Sequence, residues 1–263
     1  MSHIHIPDGI LPLWLWVLGY ILIGIFFIIE AFYIKKSQKQ AKFSLISIMA
    51  ALMLLTMSIP IPFPVPYHIN LSVLTGIILG PTLAFFAIFT SNLLLVFIAH
   101  GGITVIGLNT LVIGIEASLG YYAFKFLYKK TDKIFFSAFT ATFFALIIST
   151  FLTIGIVYAG THNFSTFSNS HCSSKGVHQE KLSVHNEKHL DNEQIEQQKH
   201  NKTEEKFNIK RFLSLMFIFG LIGWILESSL TGFIVSYIKR VKPDILHKFE
   251  KEKDIEKIKN ENS

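Results

Sequence analysis

The sequence predicts an all-α integral membrane protein with seven transmembrane helices, its N-terminus outside and its C-terminus in the cytoplasm. Three observations carry this expectation. Only 16% of the 263 residues are charged, where a soluble domain carries roughly 25%. Half of the chain, 51%, is hydrophobic, and the mean hydropathy is +0.46. The charges are also nearly absent from six long runs rather than thinned evenly, so the medium around most of the chain is hydrocarbon.

The runs are residues 10–34, 43–62, 69–99, 103–128, 134–159 and 212–238. Each reaches the roughly 20 apolar residues that a helix needs to cross a core of about 30 Å. Soluble core helices explain a run of about 12 but not six of this length. The first run starts nine residues in, lacks a basic leading segment and exceeds the roughly 7–15 residues of a signal-peptide core, so it is expected to stay as a helix. The third run, 31 residues long, holds Gly80-Pro81 in its middle. The residue before a proline is driven out of the α region, so this run is expected to split into two shorter membrane-buried helices, which makes seven. The single Cys172 excludes a disulfide framework and a four-thiolate zinc site.

Four segments follow: 1–159 for the N-terminal tail and helices one to six, 160–208 for a hydrophilic, histidine-rich outer loop, 209–242 for helix seven, and 243–263 for a charged cytoplasmic tail. The loop has almost no aliphatic residues and cannot bury enough surface to fold alone.

Orientation comes from juxtamembrane Lys and Arg, which resist translocation. They follow the first span (Lys35, Lys36, Lys39, Lys42), the fifth (Lys129, Lys130, Lys133) and the seventh (Lys239, Arg240, Lys242). The opposite connections, 1–9, 61–68 and 99–102, contain none. The net charge of +6 therefore belongs to loops and a tail beside an anionic inner leaflet, not to nucleic-acid binding.

Ten of the eleven histidines then fall on the outer side: His3, His5, His68, His100, and six in the loop; only His247 is inside. An amino terminus followed closely by histidine is a chelator. Its amine, deprotonated amide nitrogens and imidazole form fused rings and a planar nitrogen array, which suits Ni(II) or Cu(II), and also Co(II), better than zinc. Met1, Ser2 and His3 provide that spacing; if Met1 is removed, Ser2-His3 leaves one corner for a histidine such as His68. Binding releases protons, so affinity should rise with pH. His3 and His5 can equally be solvated residues of a short tail. Pro7-Asp8-Gly9 pins that tail onto the first span, and the proline-rich segment 60–66 stiffens the approach to His68. Shared ligation and a solvated tail both stay open on the residues alone. The loop histidines suit weak metal capture or no role at all.

The same residues resemble a known family. His5-Ile6-Pro7-Asp8-Gly9-Ile10-Leu11 is similar to the Met-His-Ile-Pro-Asp-Gly-Phe-Leu opening of the CbiM/NikM proteins. The spacing from His68 to Gly80-Pro81, the Gly101-Gly102-Ile103-Thr104 stretch with Gly107, Asn109 and Gly114, and Leu226-Glu227, Leu230-Thr231-Gly232 and Arg240-Val241-Lys242-Pro243-Asp244 resemble that family in order. The resemblance implies the substrate-binding membrane component of an energy-coupling-factor transporter for cobalt or nickel. It implies six core helices and an extra N-terminal helix that delivers the chelating tail. Its ligands would be the terminal amine, a tail histidine and His68. Here Met1-Ser2-His3 precede the family opening, so either His3 takes over the chelate beside His5 or the tail folds differently. His100 stands where the family commonly has an acidic residue, as an extra ligand or an entry-side group.

Asn109 is a candidate to hydrogen-bond a ligating imidazole, or to satisfy another helix. Glu116 and Glu227 are costly inside spans; packing against polar partners, in protonated form if need be, is the commoner role. Ser47 and Ala51, four apart, allow close helix approach, and the resemblance implies contact there with a coupling subunit; internal packing gives the same pattern. There is no His-Glu-x-x-His and no phosphate loop. ATP hydrolysis is therefore expected in separate ATPase subunits, with a coupling transmembrane subunit and a small accessory membrane subunit, in the plasma membrane. A metal sensor or buffer without transport, and a stand-alone channel or secondary carrier, are the alternatives; the internal symmetry that would favour a carrier is not seen.

Overall fold

The computed structural model describes residues 13–33, 39–59, 68–98, 102–172 and 209–251. Seven α-helices run through them: α1 Leu13–Tyr33, α2 Lys39–Ser58, α3 Ser72–Leu79, α4 Pro81–Phe97, α5 Ile106–Thr131, α6 Ile134–Cys172 and α7 Ile209–Val241, followed by a 3₁₀ turn at Pro243–Ile245. No strand occurs among the described residues. Helix α5 is the hub, packed by α1, α3, α4 and α6, while α7 packs on α6 and α2 on α4.

The bundle buries a set of polar side chains within an apolar core and presents apolar side chains outside. Phe97 is 79% exposed, and Ile28, Phe126, Phe136, Phe151 and Phe233 also face outward. Ser72, Thr110, Glu116, Thr142, Glu227 and Thr231 are all 0% exposed. Water would penalise an apolar exterior of this extent, whereas lipid requires it. The stretches Ile134–Ile156 and Gly220–Val241 are each long and apolar enough to cross a membrane unaided; Leu13–Ile29, Phe43–Ser58 and Pro81–Phe97 are shorter apolar stretches.

The third run breaks at Gly80-Pro81, as expected. Gly80 has φ 88° and ψ 165°, a region essentially reserved for glycine, and Pro81 opens α4 at a position that needs no N–H. The first of the two shorter helices expected from this run is α3. Eight residues reach only about 12 Å, so α3 is a half-helix entered through the non-helical residues 68–71. Irregular backbone at membrane depth is tolerated only when buried in protein, and Asn70 and Leu71 are 1% and 2% exposed. Helix α6 is longer than expected, continuing to Cys172 past the loop boundary at 160. Hydropathy marks the span, but helical hydrogen bonds continue through polar residues once outside it.

Gly80 lies at the basic end of the bundle. Lys248 Nζ is 4.0 Å from where a Cβ on Gly80 would stand, and it lies over the Tyr121 ring at 5.0 Å. The residues after α7 fold beneath α3 and α5, with Leu246 and Phe249 each 2% exposed and Phe249 5.1 Å from the Phe124 ring. The beginning of the expected tail is thus packed, because it carries two apolar anchors. Lys239 Nζ donates to Tyr128 Oη at 2.8 Å and pairs with Glu250 at 3.3 Å, both side chains being over a third exposed. Pairs so exposed contribute at most about 1 kcal/mol. Glu250→Gln should therefore lower thermal stability in detergent by no more than that, and less still at high salt.

Candidate metal centre

At the other end of the bundle, α2 finishes beside α4 and the start of α5. His68 is half-buried there, and its Nδ1 lies 2.7 Å from the Met57 carbonyl in the last turn of α2. A carbonyl only accepts, so Nδ1 carries the proton and the imidazole lone pair is on Nε2. This is the arrangement by which an outer partner fixes the tautomer of a metal-binding histidine. Met57 is itself held: it is 3% exposed, and Ser91 Oγ lies 4.0 Å from its Sδ. The neighbouring Asn92 donates from Nδ2 to Thr110 Oγ1 at 3.1 Å, tying α4 to α5.

The chain continues from His68 into a constrained start of α3. Leu71 is left-handed at φ 57°, a conformation rare for a bulky residue and found preferentially at functional sites. Its N–H donates to Glu227 Oε1 at 3.1 Å, and Ser72 Oγ donates to Glu116 Oε1. Both intramembrane glutamates thus engage successive residues just beyond His68.

Helix α1 brings the amino-terminal side of the chain to this same end. Leu15 packs with Val105 and Leu108 at the start of α5, and Tyr20 Oη donates to the Ile103 carbonyl. The remaining ligand candidates, Met1, Ser2, His3, His5 and His100, lie outside the described residues. Among the described residues no three His, Cys, Asp or Glu side chains form a group that could hold a metal ion. Of the expected ligands, His68 is the one that lies within the described residues. Asn109 is buried in the first turn of α5, its N–H bonded to the Val105 carbonyl at 2.9 Å, whereas the group on His68 Nδ1 is Met57. A backbone acceptor leaves no mark in sequence, which is why Met57 was not foreseen; Asn92 and Thr110 were findable as polar residues within apolar runs. Ser47 and Ala51 face away from the core on α2, beside the exposed Ile48 and Leu55.

Comparison with known proteins bears on the family and the fold. The CbiM family profile, described as the cobalt uptake substrate-specific transmembrane region, matches residues 5–245. The cobalt transport protein CbiM of Thermosipho melanesiensis is 33% identical over 171 residues, covering 61% of this chain and 72% of that protein. A crystal structure of a transition metal transporter superposes with a TM-score of 0.60 at 18% identity, covering 94% of this chain and 97% of the other. A truncated transition metal transporter gives 0.58 at 16% identity, over 90% and 99%. At such identities the two structures speak for the fold, while the profile and the relative speak for descent. The chain belongs to the CbiM family, the substrate-specific membrane component of cobalt uptake.

Proposed function

We propose that this protein is the substrate-binding component of an ATP-driven, energy-coupling-factor type transporter that takes up cobalt(II) or nickel(II) across the plasma membrane. The metal would enter at the His68 end, facing outside, with the basic end in the cytoplasm. The ligands would be His68 Nε2 and the amino-terminal tail (the amine and amides of Met1 and Ser2, with His3 or His5). His100 would stand near the entry, and Asn109 would orient a tail imidazole. The observation that carries this is the hydrogen bond from His68 to the Met57 carbonyl, at the end of the bundle where α1 begins. A planar array completed by an imidazole suits either ion.

ATP hydrolysis would lie in separate subunits, reached through a coupling membrane subunit and a small accessory one. The outward face of α2 around Ser47 and Ala51 is where the coupling subunit would dock. Ala51→Trp should leave cobalt binding to the purified chain intact while cutting ATP-dependent uptake several-fold, on the order of the 1–3 kcal/mol cost of overpacking a tight contact. Loss of both would place Ala51 in internal packing instead.

The deciding experiment is uptake of cobalt and nickel isotopes in cells without their own uptake systems, with and without the partner subunits. Uptake that needs the partners supports the proposal. Uptake by the chain alone makes it a channel or secondary carrier, and tight binding without uptake makes it a sensor or buffer.

A further inference from the structure

Glu116 and Glu227 lie in the bundle interior and hold successive residues at the start of α3, Ser72 and Leu71. Both are 0% exposed. Around them, α3 supplies Ser72 and α6 supplies Ser149, while Thr231 lies one turn beyond Glu227 on the same face of α7. Helix α4 contains no titratable residue, nor do the described side chains of α2; in those of α1, Tyr20 is engaged by Ile103. His68 stands four residues before Ser72. Two carboxylates cannot both remain charged side by side in a medium of low dielectric, so one of the pair must be neutral.

The hydrogen bonds say which. Glu227 Oε1 accepts the backbone N–H of Leu71 at 3.1 Å, at the amino-terminal, electropositive end of α3, which favours the anion. Glu116 accepts a hydroxyl there, from Ser72. Beside it is the buried Ser149, 2% exposed, whose hydroxyl lies close enough to act on the Glu116 carboxyl. An un-ionised acid must donate its O–H, and this hydroxyl is an acceptor in place for it.

We propose that Glu116 and Glu227 form a proton-binding site, with one proton carried on Glu116 toward Ser149 and the charge kept on Glu227 at the start of α3. The protonated pair locks residues 71 and 72 and thereby positions His68. That second step rests on the metal-binding reading above; the proton site does not.

The test is the infrared spectrum of the full-length, metal-free protein in lipid nanodiscs at neutral to mildly alkaline pH, where ordinary carboxyls (pKa about 4) are ionised. The expected result is a carbonyl band of an un-ionised acid, shifted by D2O, lost in Glu116→Gln, kept in Glu227→Gln and displaced in Ser72→Ala. Absence of the band from the wild type, its survival in Glu116→Gln, or an unmoved band in Ser72→Ala would each overturn the proposal. If Glu116→Gln fails to fold, the wild-type and Ser72→Ala spectra still decide. On the same samples, Glu116→Gln, a mimic of the protonated acid, should keep cobalt affinity. Glu227→Ala, which removes the acceptor for Leu71, should lose about tenfold or more, as outer partners of metal ligands do. Unchanged affinity in Glu227→Ala would end the positioning role. Cobalt that fails to bind the wild type would end the metal-binding reading and leave the band unaffected.

Discussion

His68→Ala is expected to abolish metal uptake and to weaken cobalt binding by more than about 100-fold, the upper end of what loss of a mere outer partner costs. The substitution removes the nitrogen that the bundle contributes to the centre. It also deletes the bond to the Met57 carbonyl, so alanine alone would not separate a ligand from a strut. His68→Asn does. Its amide keeps a donor where Nδ1 stands and can still satisfy the carbonyl, but offers no nitrogen lone pair at the position of Nε2. The expectation is a folded protein with near wild-type melting behaviour and the same loss of cobalt. Cobalt affinity of the wild type should rise with pH as the amine, amides and imidazole shed protons, and that slope should flatten in His68→Asn. The measurements are equilibrium binding to the purified chain and isotope uptake in the assembled transporter. Wild-type uptake in either variant would remove His68 from the centre.

That His68 could be named from sequence at all follows from how unlike its surroundings it is: an ionisable side chain at the edge of an apolar run is costly, and therefore informative. The helices were legible for a related reason, since hydrocarbon forces about 20 apolar residues in a row and little else does. Gly80-Pro81 was legible because the two residues break a helix by independent mechanisms. What stayed hidden depends on backbone. The half-length of α3 rests on residues 68–71 leaving the helix in a run that reads as continuously apolar, with Leu71 in a left-handed conformation that no leucine advertises. Met57 acts through its carbonyl, and Glu227 through the N–H of Leu71, partners that any residue type could supply. Helix α6 runs on to Cys172 through polar residues that composition alone assigns to a loop. The tail histidines remain where the sequence left them, outside the described residues.

Gly76→Ala should be the most damaging small substitution in the bundle. Gly76 lies in α3 against α5, and a Cβ there would stand 2.3 Å from the Ala117 carbonyl oxygen. That oxygen is backbone of the central helix and cannot turn aside as a side chain can, so the two helices must separate. Overpacking of this kind costs about 1–3 kcal/mol where side chains can yield, and more where they cannot. The damage should not stay local, because α3 carries Leu71 and Ser72 at its start and follows directly from His68. A displaced α3 loosens the grip of Glu227 and Glu116 and moves the imidazole with it. The expected result is a lowered melting temperature in detergent together with weakened cobalt binding. Two other glycines isolate the cause. A Cβ on Gly24 of α1 meets nothing within 4 Å, so Gly24→Ala should be neutral or stabilise by about 0.5–1 kcal/mol through helix propensity. Gly80 has room for a Cβ but holds φ 88°, so Gly80→Ala should cost about 1–3 kcal/mol by backbone strain alone. If Gly76→Ala melted like Gly24→Ala, α3 would not be seated directly on the backbone of α5, and its role in holding His68 would fall with that.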